Sequence, residues 1–426
     1  MTTAQAETTA FIDLFAGCGG LSLGLKQAGW RGVFAVERDS MAFATFRRNF
    51  LKGRETIKFD WPRWLETKAW SLDEMLEAHA KDVASLAGQI DVVVGGPPCQ
   101  GFSFAGRRHK ADPRNQLFKG YVELVRLVRP SALIIENVPG MKVAHGSGRR
   151  VPGPKPKSFY DELVAALDDA GYAALGRILD ASTFGVPQRR SRLVVIGLKK
   201  DLAESLPGGL GRAFDLIEQH RKLQLAALGL AAPVSVSDAL GDLLTDGVER
   251  LPCQDKESPK GFLVAKYSAP STTYQKLMHG DLSATEMDSM RLVRHTDNVV
   301  ARFKKILQKC PRGVRMNDAN RESFGIRKHR VYPMAPAQPA PTVTTLPDDV
   351  LHYAEPRILT VRESARLQSF PDWFAFAGKY TTGGDRRTRE CPRYTQVGNA
   401  VPPLMATVLG MAVAALLAES RNAGSE

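Results

Sequence analysis

Cysteine is scarce in this 426-residue chain: Cys18, Cys99, Cys253, Cys310 and Cys391, odd in number and far apart. No Cys-x-x-Cys and no His-x-x-x-His occurs, which argues against a disulfide framework and a structural zinc site; no metal is expected. The first residues, MTTAQAETTA, lack the basic start and apolar core of a signal peptide. The apolar stretch from Leu404 to Ala418 falls short of the about 20 residues that span a bilayer, so it reads as a buried closing helix. The expectation is a cytoplasmic protein without membrane contact. Acidic side chains are in deficit, 45 against 58 Lys and Arg, a net charge of +13. That excess points to a polyanionic partner, nucleic acid first. The length allows two domains, each with a proper core.

From Phe11 to about Lys200, strand-like and helix-like segments alternate. FIDLF, GVFAVE, DVVVGG, ALIIENV and RLVVIGL read as strands, and helical stretches such as SMAFATFRRNF, LFKGYVELVRLV and FYDELVAALDDAG lie between them. This rhythm predicts an α/β fold with a doubly wound, mainly parallel sheet covered on both faces. After Lys200 the alternation is lost. We expect one domain over 1–200, completed by 385–426, and a second, smaller domain over 201–384.

Two copies of Pro-Cys-Gln frame the search for a site. Cys99 follows the β-branched run Val92-Val93-Val94 and the stop Gly95-Gly96-Pro97-Pro98, which places it past the carboxyl end of a central strand, where open α/β sheets bind ligands. Cys253 is flanked by Glu249, Arg250, Asp255, Lys256 and Glu257 and reads as a solvated loop with no strand beside it. Near the amino terminus, DLFAGCGGLSLGL sets Gly17, Gly19 and Gly20 between a strand and a helix, with Ser22 where a dinucleotide fingerprint has its third glycine. Glu37 closes the next strand, where a carboxylate can accept from both ribose hydroxyls. Glu136 and Asn137 follow the apolar strand ALII, so Glu136 is expected to be partly desolvated and able to act as an acid near neutrality. Arg190 and Arg192 share a period-two spacing and should point to one side.

In order and wording, the blocks DLFAGCGGLSLG, GGPPCQGFS, ENV, QRRSR, RILTVRESARLQSFPD and QVGNAVPP resemble the bacterial DNA (cytosine-5)-methyltransferase family over nearly the whole chain. The resemblance implies an S-adenosylmethionine-dependent methyltransferase fold with a target-recognition domain over 201–384. It implies Cys99 as the nucleophile that adds to carbon 6 of cytosine. Glu136 would bond the exocyclic amine and ring nitrogen 3, Asn137 would hold that geometry, and Arg192 would bind oxygen 2 with support from Arg190. Around S-adenosylmethionine it implies Phe15, Gly17, Gly19, Glu37, Asp60, Leu117, Asn399, Ala400 and Val401. Pro98, Gln100, Ser103 and Arg107 would meet the flipped base and its phosphates. Arg38, where many relatives have an apolar or aromatic residue, departs from the pattern: either its stem would cover the adenine, or the stacking would come from Phe15 and Trp61 instead. Double-stranded DNA is the implied substrate. The enzyme would be a monomer, cytoplasmic and nucleoid-associated, either paired with a restriction endonuclease of the same site or solitary.

Within the expected second domain, positions 291 to 330 hold twelve Lys and Arg against three acids. That is either a solvated face or a row of phosphate contacts. Three rival readings remain: a tRNA cytosine methyltransferase, against which the long variable region argues; a catalytically dead DNA-binding relative, which intact Cys99, Glu136 and Arg192 oppose; and a nicotinamide-dependent oxidoreductase, disfavoured by the incomplete glycine pattern.

Overall fold

The computed structural model describes residues 8–97, 117–143, 157–282, 287–328, 330–382, 386 and 389–423. Its centre is a six-stranded sheet in the order β2-β1-β3-β4-β6-β5, built from β1 (Ala10–Leu14), β2 (Arg31–Val36), β3 (Val92–Gly95), β4 (Ala132–Asn137), β5 (Tyr172–Asp180) and β6 (Ser191–Lys199). The first four run parallel, and β6 is antiparallel to both β4 and β5. Strands β1, β3 and β4 are buried at every position, as central parallel strands covered on both faces must be. That is why they are legible as apolar runs.

The sequence reading passes over β5. As an edge strand it is partly exposed along most of its length, so it offers no apolar run to find.

Helices α1 (Gly20–Gln27), α2 (Ser40–Phe50), α3 (Leu72–Ala84), α4 (Leu117–Val128) and α5 (Phe159–Asp169) cover the sheet. Local chemistry starts them: Asp39 accepts from the amides of Met41 and Ala42, and Ser71–Glu74 and Ser158–Asp161 form capping boxes. Beyond the sheet come α6 (Lys200–Ser205), α7 (Arg212–Leu228), α8 (Val236–Leu240), the hairpin β7 (Arg250–Pro252) and β8 (Leu263–Ala265), and α9 (Thr273–His279). Then follow α10 (Asp297–Lys309), α11 (Asp318–Ser323), the short pair β9 (Tyr332–Pro333) and β10 (Val350–Leu351), α12 (Val361–Leu367), α13 (Arg393–Asn399) and α14 (Pro403–Ala423).

The closing helix α14 is apolar enough to cross a membrane by composition, yet most of it is buried inside the protein. It packs against α1 on one side and α7 on the other. Arg212 holds Glu419 at 2.7 Å, and Gln224 donates to the Leu404 carbonyl at 3.0 Å. The domain boundary placed at 201 therefore falls inside a packed layer, because α7 shares the core of α14. One apolar cluster runs from Phe11 through Val234, Tyr274 and Met334 to Leu417. A smaller one gathers Ile306, Cys310, Met316, Val331, Leu351 and Ile358 around α10.

Cys253 is not in an open loop. It directly follows β7, its amide donates to the Phe262 carbonyl at 2.9 Å, and Asp255 two residues on pairs with Arg393 and Tyr380. Of the flanking charges that suggested a solvated loop, Asp255 is spent on these partners and Glu249 pairs with Lys266, while Lys256 and Glu257 are exposed.

The α1–α14 contact leaves no room for a side chain. A methyl at Gly24 would overlap the Ala406 side chain and lie 2.5 Å from the Pro403 carbonyl oxygen. Overpacking of this kind costs about 1–3 kcal/mol. Gly24→Ala should lower the melting temperature measurably, whereas Gly211→Ala, where the nearest atom is 3.9 Å away and φ is −57°, should leave it unchanged. Equal melting of Gly24→Ala and wild type would mean the two helices can separate freely.

Candidate active site

The turn after β1 is left-handed at three positions: Phe15 (φ 58°), Gly17 (φ 57°) and Gly19 (φ 95°). Glycine meets the requirement at no cost, whereas Phe15 holds a conformation that side chains rarely adopt and that clusters at functional sites. A side chain at Gly17 would meet nothing within 4 Å, so this face of the turn opens on free space. Gly19 is bare for another reason: a methyl there would strike the Phe50 ring. Glu37, at the end of β2, ties the turn down. One carboxylate oxygen accepts from the Gly17 amide at 2.9 Å and the other from the Asp39 amide at 2.7 Å. Burial pushes the Glu37 carboxyl above its ordinary range, and the two amides pull it partly back.

Asn399 ends α13 and is exposed, while Ala400 and Val401 are buried. A methyl at Gly20 would strike the Val401 carbonyl and stand 3.3 Å from the Ala400 side chain. The turn at 399–401 and the glycine turn are thus neighbours. Leu117 opens α4; its side chain lies outside the described residues. Phe15 and Trp61 are both half-buried, and Arg38 is exposed.

Asp60 is not brought to this place. Its amide donates to the carbonyl of Gly32, at the start of β2, and its exposed carboxylate pairs with Arg31 at 3.3 Å. It is the Trp70 amide that donates to the carbonyl of Glu37. Gly32 and Glu37 are five residues apart along a strand, roughly 16 Å. The segment after α2 therefore runs the length of β2 before it reaches Glu37 and the glycine turn, and Asp60 stands at the other end. Trp70 escaped the sequence reading because nothing local distinguishes it from a packing tryptophan.

The base side forms where β4 and β6 end and begin. Antiparallel pairing sets Glu136 opposite Val194 and Asn137 opposite Leu193. The next residue back, Arg192, then reaches over, and its Nε donates to Glu136 Oε1 at 2.8 Å, with about a tenth of each side chain exposed. Glu136 is buried, as its place after an apolar strand suggests, and its carboxylate is held in an ion pair. Asn137 Nδ2 donates to the Pro97 carbonyl at 3.1 Å, and a methyl at Gly96 would stand 3.3 Å from Glu136 Oε2. The chain leaving β3 is therefore fixed against Glu136 and Asn137 as it heads toward Cys99. Pro98, Cys99, Gln100, Ser103 and Arg107 lie outside the described residues.

Arg190 and Arg192 serve different partners. Arg190 is fully buried, and its guanidinium donates to the carbonyls of Val343 (3.1 Å), Gly398 (2.9 Å) and Ala400 (3.1 Å). It supports the 399–401 turn, not the Glu136 pair. A chain segment must lie under the site for that, which period-two spacing cannot reveal.

Two buried groups beneath the glycine turn were missed. Asp13, at 1% exposure, accepts from Ser22 Oγ at 2.6 Å. Burial outweighs that bond and, with the charge of Glu37, raises its carboxyl to about 7. Cys18 is buried, and its thiol is pushed up to about 12, which suits an inert packing group. Asp13 stands first in DLFAGCGG, so the signal was in view but carried no role. Among the described residues no cluster of His, Cys, Asp and Glu could hold a metal ion.

The C-5 cytosine-specific DNA methylase family model matches residues 9–415. The chain is 32% identical over 413 residues to type II methyltransferase M.DdeI of Desulfomicrobium norvegicum, covering 93% of this chain and 86% of that protein. It is 31% identical to type II methyltransferase M.XorII of Xanthomonas oryzae pv. oryzae, covering 94% and 83%. A solved structure described as a DNA modification methyltransferase encoded within an E. coli prophage superposes with a TM-score of 0.63 at 24% identity, over 96% of this chain and all of that one; at this identity the likeness is one of fold.

Asp13 gives the site a testable pH signature. Its folded carboxyl titrates near 7 instead of the ordinary 3.8, so the folded state holds a proton that the unfolded state releases between those values. Stability from this group therefore falls as pH rises from about 4 to about 7. Asp13→Asn, which can still accept from Ser22, should melt above wild type at pH 8, with the gap closing toward pH 5. A pH-independent gap in thermal melts would show that Asp13 does not carry this proton.

Proposed function

We propose, since the chain belongs to the C-5 cytosine-specific DNA methylase family, that it methylates carbon 5 of a flipped cytosine at a short specific sequence in double-stranded DNA through a covalent bond to Cys99. The family makes it an enzyme, a methyltransferase acting on cytosine in DNA. The observation that carries the finer reading is the Glu136–Arg192 pair at 2.8 Å, set beside the strand exit that leads to Cys99.

Carbon 5 of an aromatic pyrimidine is a weak nucleophile. When the Cys99 thiolate bonds to carbon 6, the ring becomes an enamine and carbon 5 can accept a methyl group. Glu136 Oε2 would accept from the exocyclic amine while Oε1 keeps Arg192, so the charge that builds on the ring meets a fixed, largely dry ion pair. Asn137, bonded to Pro97, holds the nucleophile's loop at its root. Loss of the carbon 5 proton and of Cys99 from carbon 6 then restores the aromatic ring and frees the thiol. Arg190 would act from below by holding the 399–401 turn.

S-adenosylmethionine would supply the methyl group, as an electrophile on sulfonium sulfur. The chain fits it: a left-handed turn with open space at Gly17, a carboxylate at the end of β2, and Asn399 exposed beside them. Phe15, Gly17, Glu37 and the 399–401 turn would hold it. Gly19 would contribute by letting α2 pack close, and Asp60 is left out. The relatives named as type II methyltransferases support a role in restriction–modification, with a cognate endonuclease as partner. Their bacterial sources favour work at the nucleoid in the cytoplasm.

A duplex with 5-fluorocytosine at the target position tests the covalent step, because fluorine cannot leave as a proton. Wild type should form an adduct that maps to Cys99, and Cys99→Ala should form none and transfer no methyl group. An adduct at Cys253, or an active Cys99→Ala, would overturn the assignment.

The basic segment at 291–330 divides into two groups, with the half-buried Arg302 outside both. Arg291 stacks between Phe262 and Tyr380, Arg312 binds the Leu307 and Tyr353 carbonyls, Arg321 pairs with Asp318, and Lys328 pairs with Asp348 and Asp349. Arg294, Lys304, Lys305, Lys309, Arg315, Arg327 and Arg330 are exposed, and we assign phosphate contact to these. Neutralising them in pairs should flatten the slope of log affinity against log salt by about one per lost contact, without relaxing specificity. Arg312→Ala and Arg321→Ala should instead lower the melting temperature. Slopes unchanged for every exposed pair would leave the segment a solvated face.

A further inference from the structure

The base side and the cofactor side of the site are joined underneath by two buried glutamines that the proposed mechanism does not use. Gln188 and Gln368 are each fully buried. Gln188 accepts from the Val343 amide at 2.8 Å and donates to the Leu367 carbonyl at 3.0 Å and to Gln368 Oε1 at 2.9 Å. Gln368 in turn donates to the Val397 carbonyl at 2.7 Å, with Ala400's carbonyl at 3.4 Å. The first side chain has its donors and its acceptor in use, and the second hands its free N–H to the turn that presents Asn399.

We infer that Gln188 and Gln368 form a positioning relay that sets the Asn399–Val401 turn against Arg192, so that cofactor binding and the grip on the base depend on one buried amide pair. Three features lead there. The relay starts in the residues that enter β6, where Arg192 stands four positions after Gln188 and pairs with Glu136. Its end is shared: Ala400's carbonyl also accepts from Arg190 at 3.1 Å, so the turn is held from two points of the same 188–192 segment. The turn has no slack of its own, since a methyl at Gly398 would strike the Thr344 carbonyl, and Val343 beside it is bonded to both Gln188 and Arg190. Buried amides that satisfy each other specify one arrangement, because any shift strands a donor or acceptor out of water.

The relay rests on the reading of Asn399 as a cofactor-side residue, and its test is kept apart from methyl transfer. Gln368→Met keeps the length and volume of the side chain but cannot donate. Binding of S-adenosylmethionine to the whole protein, by calorimetry well below the melting temperature, should weaken about tenfold. Asn399→Ala should also weaken it, and the double variant should bind no worse than about the weaker single one, because the relay acts through that turn. Gln188→Met, one step further back, should show the same lack of additivity with smaller size. Arg192→Ala should leave S-adenosylmethionine binding unchanged, which separates the relay from the base-side pair. Full additivity of Gln368→Met with Asn399→Ala, or wild-type binding by Gln368→Met, would overturn the relay. If Gln368→Met does not fold, the same criteria apply to Gln188→Met with Asn399→Ala. Failure of the wild type itself to bind S-adenosylmethionine would instead overturn the cofactor reading.

Discussion

The close approach of α1 to α14 is the constraint on which the site depends. The chain's two ends meet there, and they meet only because Gly20 and Gly24 carry no side chain where Val401, Pro403 and Ala406 press in. That contact brings the 399–401 turn beside the glycine turn. It also explains an apolar α14 that is mostly buried: the helix is the wall between α1 and α7. Sheet, glycine turn and C-terminal turn form one packed body.

The direction of β6 is the second constraint. A strand added parallel to β4 would carry its carboxyl end to the ligand side. Because β6 runs the other way, its amino-terminal residues arrive there, and Arg192 meets Glu136. One reversal sets a guanidinium over a carboxylate in a place where burial makes each charge need the other.

A third feature is the run of buried ion pairs around α12. Arg366 is clamped between Asp242 and Asp372, and Arg357 between Glu355 and Glu363, all nearly or wholly out of solvent. Burial holds the neighbouring His352 down to about 4, so it stays neutral beside them at ordinary pH. Such clusters are weak contributors to net stability but costly to break. Since Asp242 follows α8 and Arg366 lies on α12, they tie the stretch after α8 to the helix that packs against α13.

The central strands and their helices were legible because complete burial writes itself as apolar runs, and the glycine turn, Glu37, Glu136 and Arg192 because each stands at a strand end in a recognisable block. The edge strand β5 was not, since half-exposed residues leave no run. Asp60 was misplaced because only the path of the chain along β2 shows which end of a strand a residue reaches. Arg190 and Arg192 look alike in sequence, and so do the twelve bases at 291–330. What separates them is which carbonyl, ring or carboxylate lies within reach, and that is a property of packing between segments distant in the chain. The sequence by itself determined the α/β class, the order of the central strands and the chemistry available at their ends. Only the tertiary structure decided which of those groups meet, because a hydrogen bond depends on distance in space, and residues such as Arg190 and Ala400 become neighbours only when the two ends of the chain close on each other.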